Sequence, residues 1–428
     1  MKKLLLVGTA LAGVAMLASP ASAALKMDLG GYFEGYGLYA DNNNPAADHQ
    51  RDFEFRRDNE IFVNGESTLD NGLTIGAHTQ LNIANTSAGS TTNTITGQNQ
   101  ADNGNAGNGA NNIASLLTVT SSNTAGTQLV DETYLYASGQ WGRVNFGEED
   151  GAAYLLQVAA PSADSNVDGM RVYIQGLNTN NWDANLNGFV LSYQQADFRQ
   201  TDRLTYLTPK FNGFQAGVSY APKPGTAVIG TSNLGGASSS GTSVMANNDV
   251  AGLFQNPWEA AARWDGRFSG VDLSLGGGYS DAEAQNSTGA GLNAVGGKSL
   301  QTYNFGANVG FSGFSLGGAY KHTNNGISPT AGRNADTKTW DVGGAYDNGP
   351  YHVGASYIHD TIGDDILATS TTGTSTVHRY AVGGGYTFGP GMTFRGSVDW
   401  GKYKANALEV TDTSPRFTQV TVGTDVQF

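Results

Sequence analysis

The stretch FSGFSLGGAY, residues 311–320, places a tight turn before a run in which apolar residues alternate with small or polar ones. Successive side chains of a β-strand point to opposite faces, so Phe314, Leu316 and Tyr320 share one face and the small residues share the other. The same turn, alternation and final aromatic recur at residues 211–220, 268–279, 347–357 and 388–400. One apolar and one polar surface on every strand is typical of a closed barrel that stands in lipid around a wet interior.

The N-terminus has the features of an export signal. Lys2 and Lys3 precede an apolar run over residues 4–17, and a small-residue cleavage pattern ends at Ala23. We therefore predict a signal peptide over residues 1–23 and one barrel domain over residues 24–428. No later apolar run approaches the roughly 18 residues of a spanning helix, so any membrane span must consist of strands.

Charge and composition exclude several classes of protein. The formal net charge is -14 over 428 residues, and it is more negative without the two signal-peptide lysines. Binding to nucleic acid needs a basic surface, so we predict no nucleic-acid partner. The absence of cysteine means that an exported fold does not rely on disulfides. Sixty glycines with 14% charged residues fit strands and turns better than helices.

The alternation predicts an even number of strands whose connections alternate in length. The sixteen predicted strands lie near residues 27–40, 52–67, 72–85, 128–138, 142–149, 198–208, 213–222, 257–268, 270–280, 300–311, 313–323, 337–347, 350–360, 376–388, 391–405 and 415–428. Short turns fall on one side and long connections, such as 86–127 and 150–197, on the other. Bacterial outer-membrane barrels place turns in the periplasm and loops outside. The predicted fold class is therefore all-β, a 16-stranded antiparallel transmembrane β-barrel.

Aromatic residues near the strand ends support a membrane-spanning band. An apolar band about 25 Å tall takes about ten residues of a strand tilted by about 40°. Three pairs have matching parity and the expected separation, and we predict that they lie in two interfacial girdles: Trp258 and Phe268, Tyr303 and Phe311, Tyr380 and Phe388. The glycines at Gly276 and Gly278 are expected to thin the lipid-facing surface between such girdles.

Three segments resemble the trimeric general porins of Gram-negative outer membranes. RQTDRLTYLTPKFNGFQAGVSYAP at 199–222 is similar to that family's sixth strand, turn and seventh strand, and WGRVNFGEED at 141–150 resembles the strand that leads into its pore-constricting third loop. RFTQVTVGTDVQF at 416–428 ends on Phe428, like the family's assembly signal. The resemblance implies an inward-folded third loop and a homotrimer that the outer-membrane assembly machinery inserts into outer-membrane lipid. The long connection 86–127 departs from the family and is expected to latch the trimer.

Strand parity predicts which charged side chains face the lumen. In the second strand Phe55, Ile61 and Val63 point out, so Arg56 points in. The same reasoning predicts further lumen-facing basic residues on other strands, and these are His78, Arg143, Arg203 and Arg395, with Arg199 beside them.

The resemblance assigns opposed rows of charge to the narrowest part of the pore. It implies that the basic wall residues Arg56, Arg143, Arg199, Arg203 and Arg395 face the acidic third-loop residues Glu148, Glu149, Asp150, Asp164 and Asp168. Opposed rows set up a transverse field that passes small hydrated solutes and penalises apolar ones. Because the loop carboxylates match or outnumber the arginines, we predict a porin for small hydrophilic solutes and ions with mild cation selectivity.

Two segments of the third loop match the start of a calcium-binding loop. Asp164, Asn166 and Asp168 in one, and Asp183, Asn185 and Asn187 in the other, each precede a glycine at the spacing of oxygen ligands for Ca²⁺. A glutamine stands at the twelfth position of each, where a bidentate glutamate is expected. The pattern therefore predicts either weak Ca²⁺ binding or Asx turns, and no other cofactor.

The sequence matches to catalytic motifs lack the structural context that catalysis requires, so no enzyme activity is predicted. GFSLG at 313–317 matches G-x-S-x-G but continues an alternating strand instead of forming a strand-to-helix elbow. Two alternatives to a general porin stay open. One is a substrate-selective outer-membrane channel, and the other is an adhesin or receptor that uses the long loops on a barrel.

Overall fold

In the computed structural model the barrel strands and short stretches beside them are described. The described residues are 25–43, 52–82, 130–162, 193–195, 197–198, 201–222, 254–284, 298–326, 334–363, 374–404 and 416–428. The predicted signal peptide over residues 1–23 lies outside them. Within the described ranges no helix is long and apolar enough to cross a membrane.

The described chain forms one closed antiparallel barrel of sixteen strands. The strands are β1 (Lys26–Asn43), β2 (Phe53–Thr68), β3 (Thr74–Asn82), β4 (Val130–Gly139), β5 (Gly142–Glu149), β6 (Thr201–Leu207), β7 (Phe214–Tyr220), β8 (Phe254–Phe268), β9 (Val271–Ala284), β10 (Leu300–Phe311), β11 (Phe314–Thr323), β12 (Thr337–Asn348), β13 (Tyr351–Gly363), β14 (Thr374–Gly389), β15 (Met392–Lys404) and β16 (Arg416–Gln427). One short helix, α1 (Ala152–Leu155), follows β5. The predicted fold class is confirmed.

Each strand pairs with its neighbours in sequence, and β1 pairs with β16 to close the barrel. The closing register runs from Tyr32 opposite Gln427 to Asn43 opposite Arg416. Closure pairs the backbone groups of what would otherwise be two edge strands, as a span in hydrocarbon requires.

The short turns use residues that tolerate a left-handed backbone. Both central residues have positive φ in three of them, for example Ser312 at 50° and Gly313 at 85°. This is the geometry of the two-residue turns whose twist matches that of the flanking strands. The repeated F-[NS]-G motif therefore sets these three short hairpin turns.

Two strand starts differ from the prediction by three residues, since β6 begins at Thr201 instead of residue 198 and β8 begins earlier than predicted. β8 begins at Phe254, before the predicted residue 257, and its register with β9 shifts between Gln255 and Trp258. Asn256 has a φ of 52°, and Pro257 beside it has no N–H to donate. A bulge lets the strand continue through the proline, where sequence alone suggested a boundary.

The outer surface carries aromatics at two levels. The long-loop belt consists of one outward aromatic on each strand from β7 to β15: Tyr220, Trp258, Tyr279, Tyr303, Tyr320, Trp340, Tyr357, Tyr380 and Trp400. Neighbouring rings touch, as between Tyr320 and Trp340, whose centroids are 4.4 Å apart. A second level near the short turns includes Phe268, Phe311 and Phe388, which are 75%, 58% and 64% exposed. All three predicted aromatic pairs therefore lie on the outer face, at the levels of two interfacial girdles.

Candidate functional site in the lumen

The chain enters the barrel directly after β5. Residues 150–162, here called the inner segment, run across the inward faces of β7 to β13. Their wall contacts include Ser219, Glu259 and Gly276, whose chain neighbours Val218, Trp258 and Leu275 are exposed on the outer surface. Because strand side chains alternate, these contacts place the inner segment inside the barrel. The remainder of the third connection, 163–192, lies outside the described residues.

Wall side chains anchor the start of the inner segment. The backbone N–H of Ala152 donates to Ser219 Oγ at 3.1 Å, and that of Ala153 donates to Glu259 Oε2 at 2.9 Å. These are N–H groups at the start of α1 that have no partner within the helix. Arg203 Nη1 donates to the other oxygen of Glu259 at 2.8 Å, and both side chains are buried. The ion pair is stable there because additional hydrogen bonds compensate for the loss of water.

Glycines on the wall make room for the inner segment. A Cβ at Gly306 would lie 1.7 Å from Val158 O, and a Cβ at Gly343 would lie 1.9 Å from Pro161 O. At Gly276 and Gly278 it would meet Val158 Cγ2 at 2.7 Å and Ala153 Cβ at 3.0 Å. The expectation that Gly276 and Gly278 thin the lipid-facing surface was wrong. Both face the lumen, where the inner segment packs closely against them.

Further hydrogen bonds hold the inner segment along its length. Asn308 Nδ2 donates to Ala159 O at 2.8 Å, and Arg263 Nη1 donates to Gln157 O at 3.3 Å. His352 Nε2 lies 3.3 Å from Ser162 O. The contacts proceed from β7 at one end to β13 at the other, so the segment crosses almost half of the barrel wall.

The end of the third connection returns to the same wall. Tyr193 is fully buried in a cluster with Ala159 and Ala319. Gln195 Nε2 donates to Ser280 Oγ at 3.0 Å, and Lys321 Nζ donates to Gln194 O at 2.9 Å. Burial, with the nearby Asp341 carboxyl, raises the pKa of the Tyr193 phenol, which stays neutral at physiological pH.

The described wall arginines face inward and have local partners. Arg56 contacts Glu54 at 2.6 Å, and Arg395 forms an ion pair with Asp425. Arg143 lies over the ring of Tyr136, 3.9 Å from its centroid. Their predicted placement on the inward face agrees with the structure, while their role in selectivity stays a prediction.

One arginine of the predicted row has a different role, one cannot be placed, and two inward arginines were not predicted. Arg203 is sealed beneath the inner segment by its pairing with Glu259, so it anchors the segment instead of lining an open passage. Arg199 lies outside the described residues. Arg263 and Arg379, which parity reasoning did not single out, also face inward and pair with Asp265 and Asp399.

The residues of the predicted acidic row do not all lie on the lumenal side. Glu149 faces inward, where Asn145 Nδ2 donates to Glu149 Oε2 at 2.7 Å, and both Glu149 and Asp150 are buried. Glu148 lies on the outward side of β5, on the same face as the exposed Phe146. Its inclusion in a lumenal row was wrong, because β5 extends to Glu149 and alternation still applies at Glu148. Asp164 and Asp168 lie outside the described residues.

The wall that faces the inner segment across the lumen is acidic. Inward carboxylates of β1 to β4 include Asp28, Glu34, Glu54, Asp58, Glu60, Glu66 and Asp131. Among the described residues of these strands, the inward cations are Lys26 and Arg56. Glu34 and Asp58 lie directly opposite each other in the ladder. Like charges at such positions disfavour folding. Because the two carboxylates are close together, they concentrate negative potential at this wall.

The predicted calcium ligands cannot be placed in this geometry. Asp164, Asn166, Asp168, Asp183, Asn185 and Asn187 all lie outside the described residues. In the part of the chain that is described, no group of three or more His, Asp or Glu side chains could hold a metal. Calcium binding therefore stays a prediction.

Phe428 completes the seam that closes the barrel. Its N–H donates to Gly31 O at 3.1 Å, and the N–H of Gly31 donates to Phe428 O at 2.9 Å. Its ring lies on Gly31, where a Cβ would meet it at 3.0 Å. The last residue is thus part of the ladder between β1 and the C-terminal strand.

The sequence of this chain is similar to one protein family and to individual proteins. A family model described as Gram-negative porin matches residues 9–406. An uncharacterized protein of Rickettsia conorii is 27% identical over 286 residues, which are 56% of this chain and 63% of that protein. The chain therefore spans less than two thirds of the length of this curated relative.

Solved structures share the fold at low sequence identity. An anion-selective porin from Comamonas acidovorans has a TM-score of 0.51 at 15% identity, with 95% of this chain and 100% of that chain covered. OmpT of Vibrio cholerae, an outer membrane protein in its trimer form, has a TM-score of 0.53 at 10% identity, with the same coverage. At these identities the similarity is one of architecture.

Proposed function

Because this chain belongs to the family of Gram-negative porins, we propose that it lets small hydrophilic solutes and ions diffuse passively across the outer membrane, with mild preference for cations. A closed barrel with a polar, charged inner face and a segment folded against part of its wall supports this proposal. No chemical reaction is part of it.

The acidic wall of β1 to β4 carries the proposed preference for cations. Fixed charges in a narrow, low-dielectric passage act strongly on permeating ions because the walls focus their field. Carboxylates in exterior loops act less, since salt screens them over about 8 Å at physiological ionic strength. The wall arginines contribute little net field because Arg56, Arg379 and Arg395 each contact a carboxylate.

Single-channel recording in a planar bilayer tests the preference. In a KCl gradient, the wild-type reversal potential should indicate mild cation selectivity. Changing Glu34→Gln together with Asp58→Asn should move it toward anions, because two adjacent lumenal charges are removed. Glu148→Gln is the matched control, since it removes a carboxylate from the outward face of β5 and should leave the reversal potential unchanged.

The same measurement tests the third-loop carboxylates. Asp164→Asn with Asp168→Asn should also move the reversal potential toward anions if these residues face the passage. A wild-type channel that prefers anions, or an equal shift from Glu148→Gln, would contradict the proposed source of selectivity.

We further propose that the chain works as a homotrimer inserted by the outer-membrane assembly machinery. OmpT of Vibrio cholerae, which shares the fold, is described in a trimer form, and the outer surface of β2 carries Arg57 and Asn59 between the exposed Phe53 and Phe55 and the apolar Ile61 and Val63. A sector with polar side chains fits a protein neighbour better than lipid tails.

A further inference from the structure

The outer surface of β11 to β15 carries a basic side chain at one repeated position. On each of these strands the outward residue two positions beyond the long-loop belt, toward the long connections, is histidine or lysine. The pairs of belt and basic residues are Tyr320 with His322, Trp340 with Lys338, Tyr357 with His359, Tyr380 with His378, and Trp400 with Lys402. The five basic residues are called the basic row here.

Strand register pairs the basic row in two groups, which meet diagonally because Lys338 lies opposite Thr361 and His359 lies opposite Trp340. His322 lies opposite Lys338, and His378 lies opposite both His359 and Lys402. The rings of His359 and His378 stack with centroids 4.3 Å apart, and the Tyr357 hydroxyl is hydrogen-bonded to His378 Nδ1 at 2.9 Å. At a strand spacing of about 4.8 Å the row covers roughly 20 Å of the surface.

The basic row is confined to one sector of a chain that is acidic overall. Lys404 and Arg416 extend it on the outward side toward β16. Among the described outward positions beyond the belt on β11 to β16, the one carboxylate is Asp336, 3.1 Å from His322 Nε2. On the neighbouring strands the equivalent positions hold Gln301 and Asp281. Cations therefore dominate from β12 onward.

The position of the row identifies its environment. Aromatic girdles mark the boundary between hydrocarbon and headgroups, and the long connections of such barrels lie outside the cell. The basic row, two positions beyond the long-loop belt on the outer surface, is therefore level with the headgroups of the outer leaflet. Exposed cations at this level attract negatively charged lipid headgroups.

We propose that the basic row binds the phosphate groups of an outer-leaflet lipid. Lys338 and Lys402, both exposed, supply permanent charge, and His378 between them can donate from its Nε2 N–H while its Nδ1 contacts the Tyr357 hydroxyl. The stacked His359 ring supports His378, since its own Nδ1 already donates to Val377 O at 3.2 Å. The adjacent Trp340 and Trp400 offer apolar ring faces at the boundary with the acyl chains. Two copies of this sector face to face would oppose like charges, so a lipid fits it better than a second chain.

Binding of purified, delipidated protein to lipid A tests the proposal. The probe is bisphosphorylated lipid A in an uncharged detergent at low salt, with chelator present to prevent bridging by divalent cations, and bound lipid is counted by native mass spectrometry. Lys338→Gln with Lys402→Gln should weaken binding by about fivefold for each lysine removed. Lys210→Gln, which changes an exposed lysine at a short turn, should bind lipid like the wild type.

Two further binding measurements separate recognition of phosphate from general attraction to lipid. Dephosphorylated lipid A should bind weakly and equally to the wild type and to the double lysine variant. Inorganic phosphate at the same concentration should not compete. Because both lysines are exposed on the outside, the double variant should keep wild-type conductance; His359→Gln with His378→Gln provides a second pair if that variant does not insert.

Three results would overturn the proposal. Equal affinity of wild type and both double variants for bisphosphorylated lipid A would show that the row makes no contact with phosphate. Equal binding of dephosphorylated lipid A to the wild type would assign the contact to apolar surface alone. Dissociation of an oligomer by the lysine substitutions, without loss of lipid, would make the sector a contact between protein chains.

Discussion

Single glycines decide where the inner segment can lie. Gly306 and Gly343 face the lumen at points where the backbone of residues 158–161 approaches the wall within the space of a methyl group. Glycine is the residue that permits such close approach of two backbones. Glycine weakens a strand, but at these two positions it leaves the space that the inner segment needs.

Alanine substitutions on β10 test this close approach. Gly306→Ala should displace Val158 and destabilise the packed inner segment by roughly 1–3 kcal/mol, the usual cost of overpacking. Thermal unfolding should start at lower temperature, and single-channel records should become noisier because the segment is held less firmly.

Gly310→Ala is the matched control for this substitution. Gly310 lies on the same face of β10, where a Cβ would meet Asp272 Cβ at an ordinary 3.5 Å. It should leave unfolding and channel noise near wild type. Equal effects of the two alanines would mean that glycine itself, and not the approach of Val158, matters on this strand.

At the scale of elements, the barrel is closed by the ladder between β1 and β16, which extends to the chain's last residue. Phe428 exchanges two backbone hydrogen bonds with Gly31, and its ring lies on that glycine. The C-terminal strand therefore completes the closure, and its role as an assembly signal stays a prediction.

Deletion of Phe428 should leave export normal but prevent most of the protein from reaching the outer membrane. The deletion removes the terminal aromatic and the last pair of the closing ladder, so unfolded chains should accumulate in the periplasm. Fractionation followed by blotting measures this distribution. Phe428→Tyr, which keeps both the ring and the backbone, should insert like the wild type, and normal insertion of the deletion variant would exclude an assembly role.

At the scale of the whole molecule, the outer surface is divided into sectors. The sector from β7 to β15 carries the long-loop belt and, on β11 to β15, the basic row. The inner segment lies against the lumenal side of much of this sector, whereas the acidic wall belongs to β1 to β4. The lumenal side of the barrel wall thus differs around the barrel, since one part holds the inner segment and the other lines the lumen with carboxylates.

Oligomeric state tests the proposed role of the long second connection. Gentle detergent extraction and mass measurement should show three chains for the wild type, and shortening of residues 86–127 should yield smaller species. Shortening of the connection 285–297, which lies between β9 and β10 and leaves β1 to β4 unchanged, should preserve the trimer. A wild-type monomer whose mass is unaffected by either deletion would contradict trimer formation.

Much of the fold was predictable because its rules are local. Alternation, F-[NS]-G turns and the two lengths of connection predicted sixteen strands, and parity correctly placed Trp258 and Phe268 outside. The bulge at Asn256 was not predicted, since a proline next to a strand equally suggests its end. Calcium binding in residues 164–187 stays a prediction.

The amino-acid sequence alone determined the class of barrel, its strand number and the two faces of most strands, because hydrophobic burial acts on each strand with a period of two residues. Tertiary structure decided what touches the inward face. Whether Arg203 lines a passage or anchors a buried loop depends on Glu259 and Ala153, which come from other parts of the chain. Such contacts follow from barrel closure and strand register, which place residues far apart in sequence side by side, and no local pattern encodes them.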